Sequence, residues 1–157
     1  MPEKPEVMTV VKNLIPGIVG KRITDCAIYW DNIIASPTPK EFKKKIIGQK
    51  INSITTRGKF IVIELDDYSL LIHLRMEGKF FFRNKGDEIT KHEHVEFILD
   101  NEISFRYHDV RKFGKMYLIP KEDTYKVKPL SELGKEFYDD ITEDYLFCLL
   151  YTSPSPR

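Results

Sequence analysis

The sequence contains few of the features that define a secreted, metal-bound or membrane protein. Its 157 residues include two cysteines, Cys26 and Cys148, which lie far apart and match neither a disulfide framework nor a zinc site. No apolar run approaches the roughly 20 residues that span a bilayer, and the first residues lack the basic and apolar regions of a signal peptide. We therefore expect reduced, structural thiols, no membrane association and a cytoplasmic location.

Strong net charge is also absent, but the value of +1 conceals an uneven distribution. Residues 40–60 contain seven basic residues and one acid, whereas residues 131–145 contain six acids and one lysine. A basic region permits binding to a polyanion, and a merely solvated surface explains the same charges. With 41% hydrophobic and 31% charged residues, the composition is that of a soluble globular protein.

Two helices are predicted. Apolar residues near the start recur at i, i+3, i+4 and i+7, which is one stripe of a helix that Pro16-Gly17 should end. In the second helix, Thr38 is the expected N-cap, Pro39 the first helical residue, Glu41 the capping-box partner and Gly48 the stop. The first stripe comprises Val7, Val10, Val11 and Leu14, and the second helix buries Phe42 and Ile46.

The rest of the chain predicts β structure. A strand at about 22–30 and a series of β-branched and aromatic segments after residue 50 are separated by short turn signals. About eight strands with hairpin-length links predict a mainly β fold, an antiparallel sandwich or barrel flanked by two α-helices. The segments are KINSITTR, KFIVIEL, SLLIHLR, GKFFFR, HVEFILD, EISFRYH and GKMYLIP.

The end of the chain has a different character. We expect one domain over residues 1–130 and the start of a truncated helical second domain over 131–147. Residues 148–157 contain Ser-Pro-Ser-Pro, which cannot continue a helix because each proline removes a donor and restricts the residue before it. We interpret residues 148–157 as a non-native tail.

The first residues are candidates for catalysis. If Met1 is removed, Pro2 carries a secondary α-amine, and such amines titrate near pH 8, so a usable fraction is a free nucleophile at neutral pH. Glu3 and Glu6 could then move protons during bond cleavage. The alternative is an ordinary terminus in which a glutamate only caps the helix.

Two predicted inter-strand turns carry residues suited to DNA. Met76 in HLRMEGKF could wedge between stacked bases, or it could fold back into the core. In YHDVRKFGK, Arg111 could hold a phosphate or an unpaired base while Phe113 stacks on bases. The alternative for the second turn is a charged hairpin whose aromatic residue covers the sheet edge.

Three further side chains could contact phosphates. His92 and His94 at i, i+2 should face the same side of a strand, where one of them could bind a phosphate. No further ligands for zinc are evident, and a hydrogen-bonded surface histidine is the alternative. Lys59, after the turn Arg57-Gly58, could neutralise a phosphate or be one more solvated lysine.

Taken together, and in the order in which they occur along the chain, these motifs resemble the N-terminal domain of formamidopyrimidine-DNA glycosylase. The matching stretches span about residues 1–145 and are MPEKPEV, RGKFIVIEL, IHLRMEGKF, KHEHVEF, FRYHDVRKFG and LGKEF. The resemblance implies a base-excision DNA repair enzyme that removes oxidised purines such as 8-oxoguanine and formamidopyrimidine. It also implies abasic-site (AP) lyase cleavage through a Schiff base, and a monomer that acts on double-stranded DNA near the nucleoid.

Site roles follow from the same resemblance. Pro2 is implied to be the Schiff-base nucleophile, with Glu3 as the acid–base residue. Lys59 and His92 are implied to contact phosphates near the lesion. A final group, implied to fill the gap left by the extruded nucleotide, comprises Met76, Arg111 and Phe113.

Departures from the family pattern are local, except at the end of the chain. Lys4 and Met8 stand where leucine and glutamate are usual, and Val110 replaces a proline. The family's four-cysteine zinc finger has no counterpart, so no cofactor is expected in this chain and zinc is expected only in a full-length protein. Two alternatives are an inactive or non-catalytic DNA-binding fragment and the endonuclease VIII branch, which prefers oxidised pyrimidines.

Overall fold

A computed structural model describes residues 4–74, 78–124, 126–127 and 129–130, with no side chains described for residues 4–8. Within these residues it contains two helices and nine strands. The helices are α1 (Lys4–Ile18) and α2 (Pro39–Ile46), and the strands are β1 (Ile23–Ile28), β2 (Ile34–Ser36), β3 (Ser53–Arg57), β4 (Phe60–Glu64), β5 (Tyr68–His73), β6 (Lys79–Asn84), β7 (Glu93–Leu99), β8 (Ile103–His108) and β9 (Lys115–Pro120).

The strands form two separate sheets, which confirms the predicted sandwich. One sheet has the order β1-β7-β8-β6 and the other the order β2-β9-β5-β4-β3. All pairings are antiparallel except that of β2 with β9, which is parallel. The prediction omitted β2, because three residues are too few to show a period of two.

The core lies between the sheets and explains why some strands lack an alternating pattern. Ile61 and Ile63 of β4 face the main core, while Val62 between them joins a second cluster on the outer face with Leu71 and Leu130. Because the five-stranded sheet is covered on both faces, its middle strands read as continuous apolar runs.

Helix α1 bridges one open side of the sandwich. It packs on β3, and a Cβ added at Gly17 would lie 2.6 Å from Cζ of Phe82 on β6. Helix α2 packs against β1 and β2 on the opposite side. Each helix therefore joins edge strands of both sheets and shields the core between them.

The ends of the helices test two sequence predictions. The stop at Pro16-Gly17 is wrong, since α1 continues to Ile18. Proline in the last turn removes only its own N–H bond, and the backbone turns at Gly20, whose φ is +89°. The cap of α2 is confirmed, because the Thr38 hydroxyl accepts a hydrogen bond from the Glu41 N–H at 3.3 Å.

Both sheets place several loops at the same end of the sandwich. In one sheet Phe60 pairs with His73 and His73 with Lys115. In the other, His108 pairs with both Lys79 and Glu93. Because short connections join β5 to β6 and β8 to β9, the residue pairs named above lie at the same end of the sandwich. We call the turns there, Gly58–Lys59, Lys91–His92 and Asp109–Gly114, the loop end.

Candidate nucleic-acid interface

The Asp109–Gly114 loop is organised by one buried carboxylate. Asp109 is 1% exposed. Its Oδ1 accepts from the Lys112 N–H at 3.1 Å, and its Oδ2 accepts from the Gly114 N–H at 2.8 Å. The Tyr107 hydroxyl donates to Oδ2 as well, at 2.8 Å. Three donors from one loop and its supporting strand therefore fix the backbone that carries Arg111.

Tyr107 occupies a space that only glycine neighbours leave open. A Cβ at Gly114 would lie 1.7 Å from the Tyr107 hydroxyl oxygen, and one at Gly78 would lie 2.6 Å from it. Burial, followed by the charge of Asp109 and its hydrogen bond, raises the pKa of Tyr107 far above the ordinary value of 10.0. The phenol thus stays protonated and donates its hydrogen bond to Asp109 from a space bounded by Gly78 and Gly114.

The side chains at the tip of this loop face solvent. Phe113 is 51% exposed and Val110 49%. Arg111 is also exposed. The loop therefore exposes a cation, Arg111, and an aromatic ring, Phe113, above the buried carboxylate of Asp109. These two groups suit contact with an anionic polymer that has aromatic bases. This geometry is compatible with the predicted roles of Arg111 and Phe113.

Lys59 lies on the neighbouring hairpin. The two-residue turn between β3 and β4 has Gly58 at φ +60°, and a positive φ at the first turn residue is what a type II′ turn requires. Lys59 is exposed at the second position. The next residue, Phe60, packs edge-on against His73 with ring centroids 4.8 Å apart. The hairpin that carries the Lys59 ammonium group is therefore held in place by packing of the adjacent Phe60.

The prediction that His92 and His94 face the same side is wrong. His92 precedes β7, and a register shift between Glu93 and Val95 interrupts the alternation of side chains. His94 is 2% exposed, and its Nε2–H donates to the Asp109 carbonyl at 2.6 Å. His94 is therefore a buried structural histidine.

His92 instead lies at the surface of the loop end. It is half-buried, and its ring centroid is 5.6 Å from that of His108. The pKa of His108 falls below its ordinary value of 6.5, first because of burial and then because of the neighbouring His92. Of the two predicted histidines, His92 alone has the placement that phosphate contact requires.

A buried ionic cluster, absent from the sequence prediction, supports the segment before His92. Arg106 is fully buried, and its Nη1 donates to Glu93 at 3.0 Å and to the Glu88 carbonyl at 2.9 Å. Its Nη2 donates to the Asp87 carbonyl at 2.7 Å. The guanidinium thus ties residues 87–93 to the sheet.

A second carboxylate completes this cluster. Glu96 accepts from the Ser104 hydroxyl at 2.6 Å and lies 3.4 Å from Nη2 of Arg106. Glu96 and Arg106 are direct cross-strand partners. The alternation of opposite charges in HVEFILD and EISFRYH is the signal that could have indicated this pair. Asp109 and Tyr107 gave no such signal, because the fold decides that they are buried, although the donors to Asp109 lie within five residues of it.

The structure therefore gathers four of the predicted site residues at the loop end. These are Lys59, His92, Arg111 and Phe113. Pro2, Glu3 and Met76 lie outside the described residues, as do residues 131–157, and nothing is described of the Glu6 side chain. Their predicted roles stay predictions.

The direction of α1 bears on the first of these residues. Gly17 lies against Phe82, whereas Val10, nearer the start of the helix, lines a cleft with Phe80 and Phe81. Strand β6 begins at Lys79, on the loop end. The N-terminal end of α1 is therefore the end directed toward the loop end.

The basic residues of segment 40–60 do not form a single patch. Lys43, Lys44 and Lys45 lie on α2, at the side of the sandwich formed by β1 and β2. Lys59 lies at the loop end, and Arg57 is only 7% exposed on β3. Strand and helix geometry thus separates charges that are close in sequence.

The described residues do not fit a metal site. They contain no group of three or more histidine, cysteine or acidic side chains that could hold an ion. Cys26 is 1% exposed, and burial raises the pKa of its thiol to about 12. A protonated thiol inside the core is unsuited to ligate zinc. No helix in the described part of the chain is long and apolar enough to cross a membrane.

Comparisons with known proteins agree with this geometry. Residues 1–116 match the model for the formamidopyrimidine-DNA glycosylase N-terminal domain. A curated relative, formamidopyrimidine-DNA glycosylase of Enterococcus faecalis, is 45% identical over 141 residues, which cover 90% of this chain and 50% of the relative.

Solved structures give the same result. Lactococcus lactis Fpg (MutM) bound to Fapy-dG-containing DNA superposes with a TM-score of 0.75 at 34% identity, over 79% of this chain and 46% of that one. The same protein bound to abasic-site DNA gives 0.75 at 33%, over 80% and 46%. The chain spans about half the length of the curated relatives it matches. It belongs to the formamidopyrimidine-DNA glycosylase family, whose N-terminal domain its residues 1–116 match.

Proposed function

We propose that this chain carries the lesion-processing half of a DNA glycosylase with associated AP lyase activity. Its substrate would be double-stranded DNA that contains an oxidised purine, such as 8-oxoguanine or formamidopyrimidine, or an abasic site. The observation that carries the proposal is the convergence of Lys59, His92, Arg111 and Phe113 at one end of the sandwich. Relatives of known structure bind DNA with such lesions.

The chemistry assigned to the N-terminus follows from that of a secondary amine. With Met1 removed, the free amine of Pro2 attacks C1′ of an extruded nucleotide, and the N–C1′ bond forms as the glycosidic bond breaks. Glu3 supplies acid–base assistance, and the base leaves with the proton it needs. The attacking nitrogen then gives up its proton, the C1′–O4′ bond breaks as O4′ takes up a proton, and an iminium forms at C1′. Loss of a C2′ proton from this iminium expels the 3′ phosphate and cuts the strand.

The loop end would hold the substrate during these steps. Lys59 and His92 would bind phosphates that flank the lesion, where each contact also releases condensed counterions. Arg111 and Phe113 would occupy the space left by the extruded nucleotide, together with Met76. Glu6 is proposed to assist proton transfer near the amine. The direction of α1 supports this arrangement, because its N-terminal end points toward the same loops.

Borohydride trapping tests the proposal. The intact chain, with the mass first measured to establish loss of Met1, is mixed with duplexes that contain an abasic site or 8-oxoguanine, and borohydride is added. We expect a covalent adduct that is lost in Pro2→Gly and kept in Pro5→Gly. Absence of an adduct at low salt, with Met1 removed, would contradict the catalytic proposal.

A second candidate is a non-catalytic DNA-binding fragment, which would need only the side chains gathered at the loop end, Lys59, His92, Arg111 and Phe113. Binding of the same duplexes without any adduct would support this candidate. Comparison of adduct yields for oxidised purine and oxidised pyrimidine lesions tests the substrate class.

A further inference from the structure

The chain's single tryptophan lies beside the Asp109–Gly114 loop. Trp30 follows β1 and is 36% exposed. Nζ of Lys112 lies 4.0 Å from the centroid of the indole ring. An ammonium group at this distance over an aromatic face makes a cation–π interaction. Trp30 therefore contacts the loop from outside, although it belongs to a distant part of the sequence.

Lys112 has an unusual backbone conformation. Its φ is +62°, in the left-handed region that residues with a side chain rarely adopt. Such a conformation persists only where surrounding contacts hold it. Here the Lys112 N–H donates to Asp109 from below, and the Lys112 side chain packs on Trp30 from the side. The two contacts together fix a residue that would otherwise relax.

The position of Lys112 makes this conformation important for its neighbours. It lies between Arg111 and Phe113, so its φ sets the relative direction of those two side chains. A second link joins the same segments, because Nζ of Lys115 donates to the Asn32 carbonyl at 2.6 Å. Residues 30–32 thus form a support beneath the loop.

We propose that Trp30 is a positioning residue for DNA binding: its indole holds Lys112 in the left-handed conformation and thereby orients Arg111 and Phe113. The inference rests on the proposed function, since DNA is the partner that these side chains would meet. Trp30 is not required to touch DNA. Trp30 is 36% exposed and is not among the residues of the main hydrophobic core, so we expect its replacement to leave the core packing unchanged.

A rival explanation is that Lys112 itself binds a phosphate and merely rests on the ring. The two explanations differ in a double-mutant cycle. If Trp30 acts through Lys112, Trp30→Ala and Lys112→Met weaken DNA binding similarly, and the double variant is no weaker than either. If Lys112 binds a phosphate directly, Lys112→Met lowers the salt dependence by about one counterion while Trp30→Ala leaves binding unchanged.

The measurement is the Kd of the intact chain for a duplex with a tetrahydrofuran abasic-site analogue. We expect a loss of about 3- to 10-fold in Trp30→Ala and in Lys112→Met, in line with the strength of a cation–π contact. Trp30→Phe, which keeps an aromatic face, should stay within about twofold of wild type. Lys85→Met, at the opposite end of the sheet, is the charge control and should also stay within about twofold.

A readout without DNA separates this inference from the proposed function. The Gly114 amide, which donates to Asp109, should exchange its hydrogen several-fold faster in Trp30→Ala than in Trp30→Phe. If the wild-type chain binds no lesion DNA, the proposed function fails, and the exchange rates alone then show whether Trp30 positions the Asp109–Gly114 loop. Equal exchange in all variants, or additive losses of affinity in the double variant, would overturn the positioning role.

Discussion

Two buried polar clusters lie back to back on β8, and they stabilise different parts of the protein. Arg106 faces outward and, with Glu93 and Glu96, forms the Arg106 cluster. Tyr107, the next residue, faces inward and donates to Asp109, which defines the Asp109 cluster. The first cluster is ionic and joins a loop to a sheet. The second is built on one carboxylate and shapes a loop tip.

The two clusters differ in what the loss of one member should cost. Loss of a member of the Arg106 cluster leaves buried charge without a partner, so the cost falls on folding. Loss of a donor to Asp109 leaves a carboxylate that still has two other donors, so the cost falls mainly on loop geometry. We therefore expect the first cluster to govern unfolding and the second to govern DNA binding.

The largest effect should come from Arg106→Met, which leaves Glu93 and Glu96 buried without a cation. We expect a loss of about 3–5 kcal/mol in the free energy of unfolding, measured by urea denaturation. The control is Arg83→Met on the exposed face of β6, with an expected change below about 0.5 kcal/mol. A loss below about 1 kcal/mol in Arg106→Met would remove the distinction between the clusters.

Gly114→Ala should have the next largest effect. Its Cβ would lie 1.7 Å from the Tyr107 hydroxyl oxygen, so the loop and the phenol must move apart. We expect a loss of about 1–3 kcal/mol in unfolding free energy together with weaker binding to abasic-site DNA. Val110→Ala, exposed in the same loop, should leave stability within about 0.5 kcal/mol of wild type. Full stability and affinity in Gly114→Ala would contradict the packing argument.

The two clusters should respond differently to the loss of one hydroxyl group. Tyr107→Phe removes one donor to Asp109, and Tyr29→Phe removes one donor to Glu96, which it meets at 2.9 Å. We expect about 1 kcal/mol for Tyr107→Phe and less for the half-exposed Tyr29. Faster hydrogen exchange at Gly114 should accompany the first variant only. Similar exchange in both would show that the clusters do not act separately.

The smallest effect should be a dependence of stability on pH that arises from His108. Its pKa is lowered in the folded state, so below about pH 6.5 the unfolded chain binds a proton that the folded chain resists. Stability from this residue is therefore complete above pH 6.5 and declines as pH falls through that value. Charged and titratable neighbours are Lys79, His92, Glu93 and His94.

The test is urea denaturation of wild type and His108→Gln between pH 7.5 and 5.5. The variant should lose less stability over this range than wild type. Identical slopes would show that His108 does not resist protonation in the folded state.

The fold could be predicted to the extent that its signals are local. The alternation from KINSITTR onward gave seven strands, and the Thr38 cap gave α2. Strand β2 was missed because three residues carry no period, and the end of α1 was misplaced because Pro16 is tolerated in its last turn. Closed-barrel geometry was equally compatible with the sequence, and the two separate sheets exclude it for the described strands.

The site could be predicted only in part. Lys59, His92, Arg111 and Phe113 were identified from motifs, but their support was not. The opposite charges of two neighbouring strands could have indicated the Arg106–Glu96 pair, but not the carbonyls of residues 87 and 88, which approach Arg106 only in the fold. The contacts between Tyr107 and Asp109 are local in sequence, but the burial of both residues is decided by the fold. His94 was misjudged because a bulge, which a regular strand pattern cannot show, interrupts the alternation there, and its side chain is buried against the Asp109 carbonyl.

We propose that the loop end is the surface of this protein that contacts damaged DNA. Amide chemical-shift mapping during titration with a tetrahydrofuran-containing duplex tests it most directly. We predict the largest changes in residues 58–60, 91–94 and 109–114, and small ones in 47–52 and 65–67 at the opposite end. Changes concentrated at the opposite end or on α2, with the loop end unaffected, would contradict the claim.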